Sequence, residues 1–350
     1  MDASVRDLPR GDGGAGGLSA PPEAPAAGAG PPPFTHLGRR LLIPLVLGLL
    51  ALVGLAVFAD ARELAAQLRA FDLRLLAPVL ALSLVNYALR FARWQLYLGA
   101  LEVDLPPLRS LAVFLVGFVL SVTPGKAGEL GKAWLVRELG GGPALRVVPA
   151  VLAERVTDLQ GVLLLTALGA LFFPGGPWIA AAGLAAVAAV SALLAWRAAA
   201  EWLFRRLEPL RWIGPRVHHL HELYDLLRRL ISPRLLAAGL ALSVAAWGAE
   251  GIGFLIVLRA YDPSAGLAAA VFDYAASTLL GAASMLPGGL LASEGALAAL
   301  LGAQGLDPAA AASATLIIRA ATLWFAVGLG LVALPAVLRW LRRRGPAANS

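Results

Sequence analysis

Long apolar runs alternate with short charged stretches along this chain. Six of them, at 41–59, 75–98, 147–173, 178–196, 235–258 and 309–338, are continuous in Leu, Ala and Val. About 20 such residues cross a hydrocarbon core of about 30 Å as an α-helix. Barrel strands would alternate apolar and polar positions, so the pattern predicts helical spans. Two intervals differ. The first has an apolar arm at 108–123, the break Pro124-Gly125-Lys126-Ala127-Gly128-Glu129, and a short amphipathic arm at 130–139. The second has an arm at 267–286, the break Pro287-Gly288-Gly289, and an arm at 290–301 that contains Glu294. Proline removes a helical hydrogen bond and glycine opens a turn, so both intervals read as re-entrant or broken hairpins. Irregular backbone at membrane depth persists only where protein or a wet cavity satisfies it. The predicted fold class is an all-α integral membrane protein with about six full spans and two Pro-Gly hairpins, whose breaks are Pro124, Gly125, Gly128, Pro287, Gly288 and Gly289.

Composition sharpens this picture. With 59% hydrophobic and 15% charged residues among 350, a water-soluble domain is excluded as a class. The formal charge of +7 resembles a nucleic-acid signal, but the arginines flank the apolar runs as orientation signals do, so no nucleic-acid partner is expected. No cysteine is present, which removes disulfides and thiol chemistry. Residues 1–35 are rich in Gly, Ala and Pro and read as a disordered tail, residues 36–345 as the membrane domain, and 346–350 as a second tail. The first apolar run starts late and lacks a clear cleavage site, so it reads as a retained span.

Arg39 and Arg40 precede the first span, eight arginines lie from Arg197 to Arg234, and Arg339, Arg342, Arg343 and Arg344 close the chain. The positive-inside rule places all three regions in the cytoplasm of a cell-membrane protein. That parity holds when each hairpin returns to its own side, the first dipping from the cytoplasm and the second from outside. Offsets between charged positions then align. Arg90 and Glu250 are 160 positions apart, Pro124 and Pro287 163, Glu129 and Glu294 165, and Arg155 and Arg319 164. The expectation is an inverted-topology repeat, 75–173 against 235–338, joined by a basic linker at 197–234. Broken helices meeting near the midplane of such a repeat are a transporter signature.

Charges inside spans are rare and expensive, about 2.5–3.5 kcal/mol each on insertion scales, so they mark candidate cavity residues. Arg155 has Glu154 beside it and Asp158 one turn on. It reads either as a structural ion pair with Asp158 or Glu129, or as a phosphate holder, for which its planar fork of donors is suited. Lys126 and Glu129 sit at the first break, where a half-helix would point free amides at an anion and where Glu129 has the alternative role of a cap. Glu294 and Arg319 invite the same two readings. Arg90 lies deep in the second span, whereas Arg93 is expected to snorkel to the interface. Glu250 is mid-span without a local partner, a candidate for proton coupling or for the cavity wall. The linker reads as an amphipathic helix on the anionic leaflet, with Trp202, Leu203 and Trp212 among its apolar residues. His218, His219 and His221 lack a second cluster to complete a metal site, so no metal or cofactor is expected.

The run Arg93-Trp94-Gln95-Leu96-Tyr97-Leu98, the Pro124 to Glu129 hairpin, the segment Ala153-Glu154-Arg155-Val156-Thr157-Asp158, and Pro287-Gly-Gly with Glu294 and Arg319 together resemble the membrane domain of lysylphosphatidylglycerol synthases. That domain also occurs alone in flippase-like bacterial and archaeal membrane proteins. Lys126 stands where the resemblance leads one to expect arginine, and Leu290-Leu291 interrupt the later glycine-rich turn. The resemblance implies a translocase or lipid-binding role, moving an anionic or phosphate-bearing lipid between leaflets without aminoacyl transfer, and since the sequence has no zinc-binding His-Glu pair, acidic metal cluster or nucleophile motif, no enzymatic activity is expected. The alternative reading is a membrane-embedded enzyme, or an accessory subunit, acting on a lipid-linked substrate.

Overall fold

A computed structural model describes residues 37–173, 175–209 and 217–344. The tails expected at 1–35 and 346–350, Trp212, and the side chains of Pro124 and Lys126 lie outside the described residues. Every regular element is helical among the described residues. The chain begins with α1 (Leu37–Phe58) and the short amphipathic α2 (Ala61–Ala70), whose first turn is capped by the Asp60 carboxylate accepting from Arg62 N at 2.8 Å. The first half continues with α3 (Leu76–Ala100), α4 (Pro107–Ser121), α5 (Gly131–Glu138), α6 (Ala144–Ala170) and α7 (Gly176–Ala195). Two linker helices follow, α8 (Arg197–Leu207) and α9 (Val217–Leu230). The second half comprises α10 (Pro233–Arg259), α11 (Leu267–Ala283), α12 (Ala292–Ala303), α13 (Pro308–Arg319) and α14 (Phe325–Arg344).

Four stretches are long and apolar enough to span: 73–100, 176–195, 233–259 and 308–343. The two remaining spans expected from the sequence correspond to α1 and α6. In α1 the apolar stretch is Val46–Val57, and α6 has the length, at 27 residues, but carries Arg146, Glu154, Arg155 and Asp158. Those charges turn α6 inward. The lipid-facing role falls to α7, which buries only Gly176 and Ala180 and packs on α6. Trp178 and Trp196, 83% and 61% exposed, bracket α7. Their separation along a helix is about 27 Å, close to the hydrocarbon thickness, which is where amphipathic indoles settle.

Both Pro-Gly intervals are broken as the sequence predicts. After α4 the chain turns at Thr123 and runs as a 3-10 segment, Pro124–Leu130, into α5. After α11 it forms a tight 3-10 turn, Pro287–Gly289, in which Gly288 and Gly289 take φ of 62° and 67° before α12. Only glycine adopts these angles without strain. The two breaks pack against each other, with Val122, Leu290 and Val327 buried around the contact.

Packing is reciprocal between the halves. The helix before each break packs on the long helix after the other break, α4 on α14 and α11 on α6. Each interface contains a glycine where backbones come close. A Cβ on Gly169 would sit 3.0 Å from Ala268 O of α11, and one on Gly330 would sit 2.5 Å from Leu115 O of α4. These glycines are 161 positions apart. The first helices of the halves, α3 and α10, pack on each other. There Asn86 Nδ2 donates to Ala246 O at 2.9 Å, a pair separated by 160 positions.

The linker departs from expectation. Val217, Leu227 and Leu230 of α9 are buried and α9 packs on α6, so its apolar face is spent on protein. Phe204 of α8 packs on His221 and Tyr224, with ring centroids 4.4 and 5.9 Å away. Trp202 and Leu203 of α8 remain exposed, so among the described linker residues the apolar face left for an interface is on α8.

Candidate functional site

The charged residues converge on one buried centre between α3, α5 and α6. Arg155 of α6 reaches Asp158 Oδ2 at 3.0 Å and Glu129 Oε2 at 3.2 Å, so both partners considered from the sequence are used at once. One turn of helix brings Asp158 alongside Arg155, and the 3-10 geometry of the first break swings Glu129 towards α6. The capping role for Glu129 is not the one adopted, since no side chain caps α5 and Thr123 Oγ1 instead accepts from Gly128 N at 2.8 Å.

Arg93 is completely buried, its Nη2 2.7 Å from Asp158 Oδ1 and its Nη1 3.1 Å from Thr157 Oγ1. It does not snorkel. The pattern offered one clue, because Arg93 lies three residues after Arg90 and shares its helix face. Arg90 is 3.8 Å from Asp158 Oδ2, with its guanidinium 5.3 Å from the Phe118 ring centre and 5.8 Å from that of Trp247. Trp247 Nε1 donates to Asp158 Oδ1 at 3.2 Å and so joins α10 to the centre.

Lys132, which the sequence did not single out, is also central. Its Nζ lies 2.5 Å from Glu154 Oε2, 3.9 Å from Glu129 Oε2 and 4.6 Å from the Trp94 ring centre. Gly117 leaves room for its stem, since a Cβ there would meet Lys132 Cδ at 2.7 Å. Lys132 follows Glu129 by three positions, which was the available signal.

Four cations, Arg90, Arg93, Lys132 and Arg155, thus meet three carboxylates, Glu129, Glu154 and Asp158. Among these described side chains the formal balance is one positive charge in surplus. Arg155 and Arg90 form the open edge, with side chains 24% and 13% exposed. Among the described residues nothing accepts a hydrogen bond from the buried Nε of Arg90, Arg93 or Arg155. Unused guanidinium donors beside surplus positive charge suit an anion with several oxygens, such as a phosphodiester.

The second half has a smaller counterpart. Arg319 Nε lies 2.6 Å from Glu294 Oε1, and its Nη2 donates to Gly288 O at 3.0 Å, which ties the arginine to the second break. Immediately after Arg319 the helix widens into a π turn, Ala320–Trp324. Glu250 belongs to neither ion-pair set. It is buried on α10 and accepts from Tyr274 Oη at 2.6 Å, so it has a partner the sequence did not suggest. The geometry therefore gathers Arg90, Glu129, Glu154, Arg155 and Asp158, pairs Glu294 with Arg319 elsewhere, and sets Glu250 within electrostatic reach of both Arg90 and Arg319 without an ion pair to either. No cluster of residues suited to a metal is found among the described residues.

An all-helical membrane protein with a buried, cation-rich ionic centre beside a broken helix is the class that fold and site define. Residues 45–330 match the model of the lysylphosphatidylglycerol synthase TM region, and the chain belongs to that family. It is also similar to a UPF0104 membrane protein of Methanothermobacter thermautotrophicus, 24% identical over 326 residues, which cover 86% of this chain and 95% of the relative.

Proposed function

We propose that the chain is a flippase-like translocase that moves a phospholipid or other anionic lipid between leaflets. The observation that carries this reading is the surplus positive charge at the Arg90–Arg155 edge, with its unused guanidinium donors next to a break in the membrane helices. A phosphodiester there would take up donors that the carboxylates leave over, and Glu129 and Asp158 would hold the arginines when the lipid departs. Exchange of partners of this kind lets a headgroup be bound and released without stranding a buried charge.

The reading includes an inverted-topology repeat with cytoplasmic termini and linker in the cell membrane. The reciprocal packing of α4 on α14 and α11 on α6 supports it, as do the contact between the breaks and the glycines 161 positions apart. Rocking one half against the other about the α3–α10 contact would expose the centre to alternate sides. The test is reconstitution into liposomes with fluorescent phospholipids in one leaflet, followed by transfer to the other. Transfer is expected to fall to the protein-free rate in the Arg155→Ala, Arg319→Ala double variant. A wild type no faster than that variant would sink the proposal for the lipids tried, and formation of a modified lipid would point to an enzyme instead.

A further inference from the structure

A buried carboxylate on α10 belongs to neither ion-pair set. Glu250 is 4% exposed and accepts from Tyr274 Oη of α11 at 2.6 Å. Trp247 lies one turn before it on the same face of α10, with the Arg90 guanidinium 5.8 Å from its ring centre. Tyr87, one turn before Arg90 on α3, donates to Thr322 O, one turn after Arg319. Glu250 lies within electrostatic reach of both arginines, one from each half, yet among the described residues it forms an ion pair with neither. The groups that act on it are Tyr274 of α11, Arg90 and Tyr87 of α3, Asp158 of α6 and Arg319 of α13. The remaining helix packed on α10, α9, brings none of these groups. On α10 itself the nearest charged residue is Arg259, nine positions on, whose Nε donates to Ala265 O.

Charge counting gives this carboxylate a task. The described side chains of the ionic centre carry one positive charge in surplus, and the Glu294–Arg319 pair carries none. Ionised Glu250 cancels that surplus through its reach to Arg90. A bound phosphodiester adds a further negative charge, and uncompensated charge at membrane depth is costly. One proton on Glu250 restores neutrality. We infer that Glu250 takes up one proton when an anionic lipid binds at the Arg90–Arg155 edge and returns it when the lipid leaves, so that lipid and proton cross together. The inference rests on the reading above in taking an anionic lipid as the load, and it adds the ion that accompanies it. The proton comes from water and forms an O–H bond on one carboxyl oxygen, while the other still accepts from Tyr274. Such coupling is reciprocal, each partner tightening the other by the same factor. Acid neutralises Glu250, uncovers the charge of Arg90 and tightens anion binding, whereas alkali ionises Glu250 and loosens it.

The test titrates the purified full chain, in weakly buffered detergent, with dihexanoylphosphatidylglycerol, a soluble lipid whose phosphodiester carries one negative charge. Titrations run at steps from about pH 5 to about pH 9. Affinity is expected to rise on acidification by up to about tenfold per pH unit, the limit for one linked proton, while an indicator dye reports uptake of up to about one proton per lipid bound. Glu250→Gln keeps an oxygen for Tyr274 and is neutral at every pH. It is expected to bind at the wild type's acid-side affinity throughout, with the proton uptake lost. Tyr274→Phe removes a hydrogen bond that the ionised carboxylate accepts, and is expected to shift the binding profile towards higher pH. Wild-type binding that ignores pH and takes up no proton overturns the inference. So does full uptake in Glu250→Gln, which would place the proton elsewhere, or a profile that Tyr274→Phe leaves unmoved. Lipid transfer in liposomes without proton uptake would sink the coupling alone, whereas no binding of phosphatidylglycerol at any pH would sink the anion site and the coupling with it.

Discussion

Lys132 is held at the ionic centre by charge and by a cation–π contact together, with Glu154 at 2.5 Å and the Trp94 ring 4.6 Å away. Removing one member of such a pair leaves the other charged and buried, which costs about 3–5 kcal/mol. Lys132→Met is therefore expected to lower stability by about that amount, read from unfolding in detergent. Lys132→Met with Glu154→Leu is expected to recover most of the loss. If the double variant were no better than the single one, the pair would not be the reason for the lysine. Strain offers an opposite case. Met285 has φ of 56° while 63% exposed, so its side chain returns little packing for an angle that favours glycine. Met285→Gly is expected to raise stability by about 1 kcal/mol, visible as a higher melting temperature. At this scale the sequence flagged Arg155 and both its carboxylate partners, because residues one turn apart share a face. It missed Lys132 and misread Arg93, because burial of a long cation depends on what other helices place around it.

Among the elements, the π turn at Ala320–Trp324 has an identifiable support. Widening the helix loosens its regular carbonyl pairing, and α3 supplies donors to the carbonyls concerned. Ser83 Oγ donates to Ala321 O at 2.8 Å and Tyr87 Oη to Thr322 O at 2.7 Å. Tyr87→Phe is expected to cost about 1 kcal/mol and to weaken function through Arg319, one turn before the freed carbonyl. Unchanged stability and transfer would show that the turn does not need α3. Close helix contacts make a sharper prediction. Gly330 abuts Leu115 O, whereas a Cβ on Gly328 meets nothing within 4 Å. Gly330→Val is expected to separate α4 from α14 and cost more than about 3 kcal/mol, while Gly328→Val stays within about 0.5 kcal/mol. The Pro-Gly breaks were legible at this scale since proline and glycine act locally. The π turn was not, because the segment Ala-Ala-Thr-Leu-Trp carries no breaker and only the contact with α3 explains it.

For the whole molecule, the absence of native cysteine permits a direct test of orientation. Single cysteines beside Pro124 are expected to react with a membrane-impermeant thiol reagent only from inside, and those beside Pro287 only from outside. Labelling of both from the same side would refute the inverted repeat and with it the rocking mechanism, though not the ionic centre. A cysteine in α8 near Trp202 is expected to label from inside with the first set.

The sequence by itself determined the membrane class, the long apolar helices, both breaks and the core of charged positions. Each follows from local chemistry: hydropathy over a span, ring closure in proline, and the rarity of ionised groups in hydrocarbon. Tertiary structure alone decided which charges meet, since Lys132, Arg93 and Trp247 reach Asp158 and Glu154 from three different helices. It also moved the apolar face of α9 from the lipid surface onto α6, and gave Glu250 a tyrosine partner. Pairing energies of buried charges depend on distances of a few ångströms between elements far apart in the chain, and no one-dimensional pattern encodes them.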